Sequence, residues 1–468
     1  MIASTGPKRT LSLLDGVCII VGTIIGAGIF QAAPDIARFA GGFEVLIGLW
    51  LLGGLITVIG ALCFAELSSR FSDVPGGDYG FLKLAFGKPI GFMFAWATFW
   101  IIRPGNIGAM ALTFATYFDR LLGFDHADDL SANRQAWYAI GAVVLLSSTS
   151  LIGLKQAKWI QNLLTFAKVG GIVLIGMLAF FSPASQGIDL TAPTPVSTGL
   201  ATDSAWLLAM VFIMFSFGGW NDLSFVSTEI KHPERNLFRS LVIGSIAVTT
   251  IYIVINIAFV FGIGYDSVRN SSAVATDVVS RSLGADSWIG SRGSQIISGL
   301  ICISCLGAIN GIIITSPRIY YAAGRDFQLL QALGKWNHER DQPWLATMVQ
   351  AFVTIGLFCL CFRYENPFGV IVVVSAPFFW TFLGLAGISL VFLRKKFPSP
   401  NDKTVFRTPF FPVEPIVLAI ACILMAYASI NHLISERFWV ATGVVVSMMV
   451  IGICLGLVLR STDESSTE

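Results

Sequence analysis

Charge is the scarcest commodity in this chain. Asp, Glu, Lys and Arg make up 12% of its 468 residues, about half of the roughly 25% usual in a soluble globular chain, while apolar residues reach 55% and the mean hydropathy is +0.75. That shortage excludes an ordinary water-exposed surface. Histidine is equally thin: His126, His232, His338 and His432 lie in or near loops, none paired with an acid at helical spacing, which argues against the cleft of titratable groups an enzyme needs. The net charge of +2 leaves neither a basic excess for nucleic acid nor an acidic tail. No cysteine stands outside an apolar run, so a disulfide framework is not expected. The Cys302/Cys305 spacing, without a nearby His, reads as packing; no metal and no cofactor are assigned.

Long apolar runs are what the chain has instead. A bilayer core about 30 Å thick takes about 20 helical residues, and twelve such runs fall at 11–40, 43–70, 89–118, 134–153, 158–181, 204–230, 237–264, 293–322, 344–362, 367–393, 411–432 and 437–459. The basic patch before the first run is followed by no small-residue cleavage site, so that run is read as a retained span. The fold class expected is an all-α integral membrane protein with 12 transmembrane helices. Twenty of the 30 Lys and Arg fall in one set of alternate loops plus both tails, eight in the other set, and Arg103 and Lys168 inside spans. Positive charge marks the cytoplasmic side, so both termini are expected there, in the plasma (inner) membrane.

Spans one and six are interrupted. GTIIGAGIF (Gly22 to Phe30) and FSFGGWND (Phe215 to Asp222) place glycine clusters in mid-membrane. They lie five spans apart, so the second half enters from the opposite face, which is the pattern of an inverted repeat. Broken helices at corresponding positions point to a midplane site, because unwound backbone is tolerated there only where it is buried or lines a cavity. Free N–H groups at a half-helix start attract a carboxylate and freed carbonyls attract an ammonium. A site offering both suits an α-amino acid zwitterion.

With PGGDY (Pro75 to Tyr79), IIRP (Ile101 to Pro104), TFAK (Thr165 to Lys168), HPERN (His232 to Asn236) and AINGIIITSPR (Ala308 to Arg318) added in register, the chain resembles the amino acid/polyamine/organocation superfamily, and most of all its L-type amino acid transporter branch in prokaryotic form. The resemblance implies a LeuT-type fold of five plus five inverted spans with two helices appended. The expected organisation is a tail 1–10, one transmembrane domain 11–460 (first repeat 11–181, second 204–393, appended helices 411–459) and a tail 461–468. It also implies site residues. N–H groups around Gly26, Ala27 and Gly28 hold the substrate carboxylate, carbonyls of Ile24, Phe215 and Gly218 hold its amino group, and Asn106, Asn221 and Trp380 line the side-chain pocket. The Phe215 ring gates the site from outside. Lys168, about ten residues into span five, occupies the region where sodium-coupled relatives bind sodium, as a fixed ammonium in place of the ion or as a proton carrier, so transport is expected to be sodium-independent.

Two deep charges are left open. Arg103 precedes Pro104, which frees the Trp100 carbonyl, and its guanidinium is read first as serving such groups, with direct substrate contact as the minority view. Asp222 departs from the family pattern: it is either the N-cap of the second half-helix of span six, or a partner for a cation or a proton. Glu66, Glu229, Arg318 and Arg325 are candidates for a cytoplasmic gate network. The stretch AVATDVVSRSLG within 266–292 is a candidate helix over the entrance. Animal members of the branch link to a heavy chain through a cysteine between spans three and four; the loop from Asp119 to Arg134 has none, so no disulfide-linked partner is expected. The function expected is amino acid transport by alternating access in the lipid bilayer, neutral substrates favoured, as an exchanger. Proton-coupled symport is the alternative, and a sensor on a transporter scaffold the remote one.

Overall fold

The computed structural model describes residues 7–124, 131–181, 205–271, 273–284, 292–361, 367–398, 406–435 and 439–464. The chain ends expected as tails, and the joint between repeats at 182–203, lie largely outside the described residues. Nearly everything described is helical. Ser12 caps the first helix, α1 (Leu13–Ile24), through a reciprocal box with Asp15, an arrangement that satisfies two open N–H groups at once. Asp15 is tied in turn to Lys158 and Asn162. A break follows, then the short α2 (Gly28–Gln31) and α3 (Ala33–Ala40), and the long α4 (Phe43–Arg70).

The helices α5 (Asp78–Phe86) and α6 (Lys88–Ala97) lead into a π-helical turn at Thr98–Ile102 and then α7 (Arg103–Leu121). The expected span at 89–118 is therefore composite. Pro104 at the start of α7 has no N–H to give, and the chain widens by one residue there: the Arg103 N–H reaches back five residues to Thr98 O, a π-bulge of the sort found at functional sites. After α8 (Ser131–Ile152) and α9 (Leu154–Phe181) comes α10 (Ala205–Ser216), a second break, and a tight 3₁₀ stretch at Trp220–Glu229.

Beyond it run α11 (Pro233–Ile263), the small helices α12 (Tyr265–Asn270) and α13 (Val274–Leu283), α14 (Gly293–Thr315), α15 (Pro317–Asp326) and a second 3₁₀ stretch, Gln328–Gly334. α13 coincides with the helix expected from AVATDVVSRSLG. The chain closes with α16 (Trp344–Cys361), α17 (Pro367–Lys396), α18 (Val413–Ser435) and α19 (Trp439–Glu464). Among the described residues, nine helical stretches are long and apolar enough to cross a membrane, with shorter apolar helices at Trp344–Cys359 and Val446–Gly456.

The packing is inverted relative to a soluble protein. Trp159, Phe352 and Ile423 are 65%, 69% and 66% exposed, while Lys168, Asp222 and Glu229 are wholly buried. In lipid, charge is tolerated in the protein interior and apolar side chains face outward. α1 sits at the centre, against α9, α11 and α14, while α7 packs on α14 and α17. Both breaks therefore open into the middle of the molecule.

Candidate functional site

The first break begins at Ile25, whose backbone leaves the helical region (φ −74°, ψ 87°). Gly26 N–H turns back onto Ile24 O at 2.8 Å. Among the described residues the N–H groups of Ala27, Gly28 and Ile29 find no backbone acceptor. These are the open donors that any helix start leaves, here placed inside the protein. The carbonyls released on the other side of the break are gathered by Lys168. Its Nζ donates to Gly22 O at 2.8 Å, Ile25 O at 2.6 Å and Ser304 O at 3.0 Å, which uses all three protons. Ser304 Oγ adds bonds to Ile25 O and Gly26 O.

The second break turns on Gly219, with φ +113°, a conformation that glycine adopts readily and L side chains do not. A Cβ at this position would also stand 2.8 Å from Thr23 Cγ2 of α1. The two breaks therefore touch, and Tyr252 of α11 joins them. Its hydroxyl lies 3.1 Å from Ile24 O and 3.0 Å from Ser216 O, sharing one proton between the ends of α1 and α10.

Between the breaks lies a cavity of about 70 Å³. Ile24, Gly26, Gly28, Asn106, Phe215, Gly218 and Trp380, all expected from the sequence, line it together with Arg103 and Asp222. Ala27 lines a second cavity of about 220 Å³ that shares Gly28, Met110, Phe215, Ala376 and Trp380 with the first. Phe215 lines both cavities. Asn221 is displaced from the expected pocket: its Nδ2 donates to Asp78 Oδ2 at 2.9 Å, in a narrow recess behind Arg103. The carbonyls of Ile24 and Phe215 are not wholly free, since Gly26 N–H and Tyr252 reach the first and Gly218 N–H the second.

Two local expectations are corrected. Asp222 caps nothing; Gly219 holds the N-cap position and no side chain bonds there. Instead Arg103 Nη1 donates to Asp222 Oδ2 at 2.8 Å, and Nη2 lies 2.8 Å from Oδ1. The guanidinium of Arg103 thus takes the carboxylate that a cap would have used. Arg103 accordingly does not serve the Trp100 carbonyl, because the π-turn absorbs Pro104. Of the four gate candidates only Glu229 and Arg318 pair with each other, at 2.8 Å; Glu66 bonds Arg394 at 2.7 Å and Arg325 lies over Tyr321, so among the described residues no single network joins them.

Tyr252 and Ser304 were not foreseen, and neither carries a local signal. Asp78 could have been singled out as the acid of PGGDY. It lies on α5, outside the apolar spans, and is 2% exposed. Burial pushes its carboxyl up to about 7, although Ser224 Oγ and Asn221 Nδ2 both donate to it.

The long apolar helices and the cavity between two helix breaks fit a multi-span membrane permease. The sequence model of the amino acid permease family matches residues 11–455, and the chain belongs to that family: a membrane transporter and not an enzyme. It is 27% identical over 440 residues to the mouse b(0,+)-type amino acid transporter 1, covering 94% of this chain and 85% of that one. The serine/threonine exchanger SteT of Bacillus subtilis is 28% identical over 418 residues, covering 89% and 90%. The human large neutral amino acids transporter small subunit 2 is 30% identical over 350 residues, covering 74% and 64%.

Proposed function

We propose that the protein exchanges neutral L-amino acids across the plasma (inner) membrane by alternating access, without sodium. Ile25–Ile29 and Phe215–Gly219 would meet the zwitterion, with open N–H groups for its carboxylate and the carbonyls of Phe215, Gly218 and Ile24 for its ammonium, the last by displacing the Tyr252 hydroxyl from Ile24 O. The observation that carries the reading is the ammonium of Lys168, buried against two carbonyls of the first break, Gly22 and Ile25, and a third on α14, Ser304. A fixed positive charge at that place does what a bound cation would do, holding the unwound backbone in shape with no ion to recruit. The family's relatives named as transporters or exchangers of amino acids support the substrate class.

The same reading takes the chain as twelve spans in a five-plus-five inverted arrangement with two appended helices, both termini cytoplasmic. Phe215, between the inner and outer cavities, is the outer gate. The cysteine-free loop from Asp119 to Arg134 favours a transporter working without a disulfide-linked partner. Proton-coupled symport is the second reading, favoured by the buried lysine and by Asp78 behind the cavity.

The deciding experiment is uptake of radiolabelled neutral amino acids into liposomes holding the purified full-length protein, in sodium-free buffer at two pH values, with and without internal amino acid. Uptake that requires internal amino acid and ignores pH is expected. Uptake into empty liposomes driven by an inward proton gradient would replace exchange with symport, and a requirement for sodium would overturn the role of Lys168.

A further inference from the structure

The wall of the cavity carries an ion pair that the binding of an α-amino and α-carboxyl group leaves unused. Arg103 and Asp222 both line this space, and both are nearly or wholly buried, at 3% and 0% exposure. Arg103 Nη1 donates to Asp222 Oδ2 at 2.8 Å and Nη2 lies 2.8 Å from Oδ1 as a charge contact, leaving Oδ1 without a hydrogen-bond donor among the described residues, and Thr315 Oγ1 adds a long contact of 3.4 Å to Asp222 Oδ2. Phe225 covers one face of the guanidinium, its ring centre 4.8 Å from Cζ. Arg103 Nε nevertheless has no hydrogen-bond partner among the described residues. A buried N–H without an acceptor is unfavourable in a dry interior, and this one belongs to a side chain that faces the space a substrate would fill.

We infer that the Arg103–Asp222 pair is the subsite that selects the substrate side chain, and that it favours small, uncharged side chains bearing a hydroxyl or amide; this rests on the reading of the cavity as an amino acid site. A hydroxyl is donor and acceptor at once. It donates to an Asp222 oxygen and accepts from Arg103 while the pair stays intact. An aliphatic side chain of the same size leaves the guanidinium N–H unpaired. A cationic side chain competes with Arg103 for Asp222, an anionic one competes with Asp222 for Arg103, and each leaves a buried charge stranded. The pair is neutral as a whole, so it excludes both signs of charge.

Size adds the second filter. Met110, Ile312 and Phe379, apolar members of the same lining, narrow the space beside the pair, which favours a short side chain. A site built to bond a hydroxyl rejects the isostere that lacks one far more strongly than an apolar pocket rejects a missing methyl group. Serine against alanine, and threonine against valine, are therefore the informative comparisons.

The test uses the full-length protein in sodium-free proteoliposomes, with serine, alanine, threonine, valine, lysine and aspartate each offered as labelled substrate and as competitor. Serine and threonine are expected to compete at least tenfold better than alanine and valine, and lysine and aspartate hardly at all. In the double variant Arg103→Met with Asp222→Leu, which strands no charge, the serine-to-alanine ratio is expected to fall towards one. Should the double variant lose uptake, thermal shift of the purified protein by serine and by alanine reads the same ratio. Equal competition by alanine and serine in the wild type, or an unchanged ratio in the variant, would overturn the inference while leaving amino acid transport standing. Absence of uptake for any amino acid would instead defeat the transport reading itself.

Discussion

The two helix breaks solve the same problem with different chemistry. At the first, between Ile24 and Gly28, unwound carbonyls are held by a buried ammonium and two hydroxyls, those of Lys168, Ser304 and Tyr252. At the second, around Gly219, the stretch is anchored by its own side chains, Asp222 to Arg103 and Asn221 to Asp78. In the proposed reading the first break presents main-chain groups to the cavity, while the second presents main-chain carbonyls at Phe215 and Gly218 together with the side chains of Asp222 and its partner Arg103. Which partner satisfies the broken helix thus decides what each break can offer a substrate.

The comparison can be broken most severely at Lys168. Replacing it with alanine removes the ammonium from three buried carbonyls, of which Ile25 O keeps Ser304 Oγ, at up to about 1–3 kcal/mol for each one left unpaired. Exchange by Lys168→Ala is therefore expected to fall about a hundredfold or more, measured by initial uptake at equal amounts of folded protein. Wild-type rates in this variant would show that the first break needs no internal cation.

Tyr252→Phe removes the one hydroxyl common to both breaks. A loss of about 1 kcal/mol in stability is expected, read as a lower unfolding midpoint in detergent, together with a several-fold drop in turnover. An unchanged midpoint would mean that the breaks are held independently.

The smallest effect isolates the second break through Asp78. An aspartate that titrates near 7 in the fold and near 4 when unfolded makes the folded chain the tighter proton binder between those values. Stability is then lost as pH rises from about 4 through 7, and levels above. Asp78→Asn lacks this penalty, and Asn221 can reverse its amide to meet it. The midpoint of the variant minus that of wild type is expected to be more positive at pH 8 than at pH 5. A difference independent of pH would show that Asp78 carries no such penalty.

Much of this arrangement was legible before the fold. Glycine clusters in runs that otherwise read as continuous helix located both breaks, because helix interruption is a local property. A lysine ten residues deep in an apolar run had to find partners inside the protein. What escaped was every pairing between distant segments. Asp222 reads locally as a cap, since an acid opening a helix usually is one; only the approach of α7 brings Arg103 to it. Tyr252 and Ser304 look like ordinary members of apolar helices until α11 and α14 are laid against α1. Glu66 and Glu229 carried the right charge for a gate, but α4 and the 3₁₀ stretch carry them to different arginines.

The first residues described give the molecule a natural clock. Leu11 N–H bonds Glu229 O at 2.9 Å and Lys231 N–H bonds Leu11 O at 2.8 Å, so a single rung of backbone pairing stitches the segment ahead of α1 to the segment behind the second break. In the proposed cycle, α1 cannot swing away from this face until that rung parts. Deuterium uptake at these two amides would report how readily the rung opens, with no substrate needed.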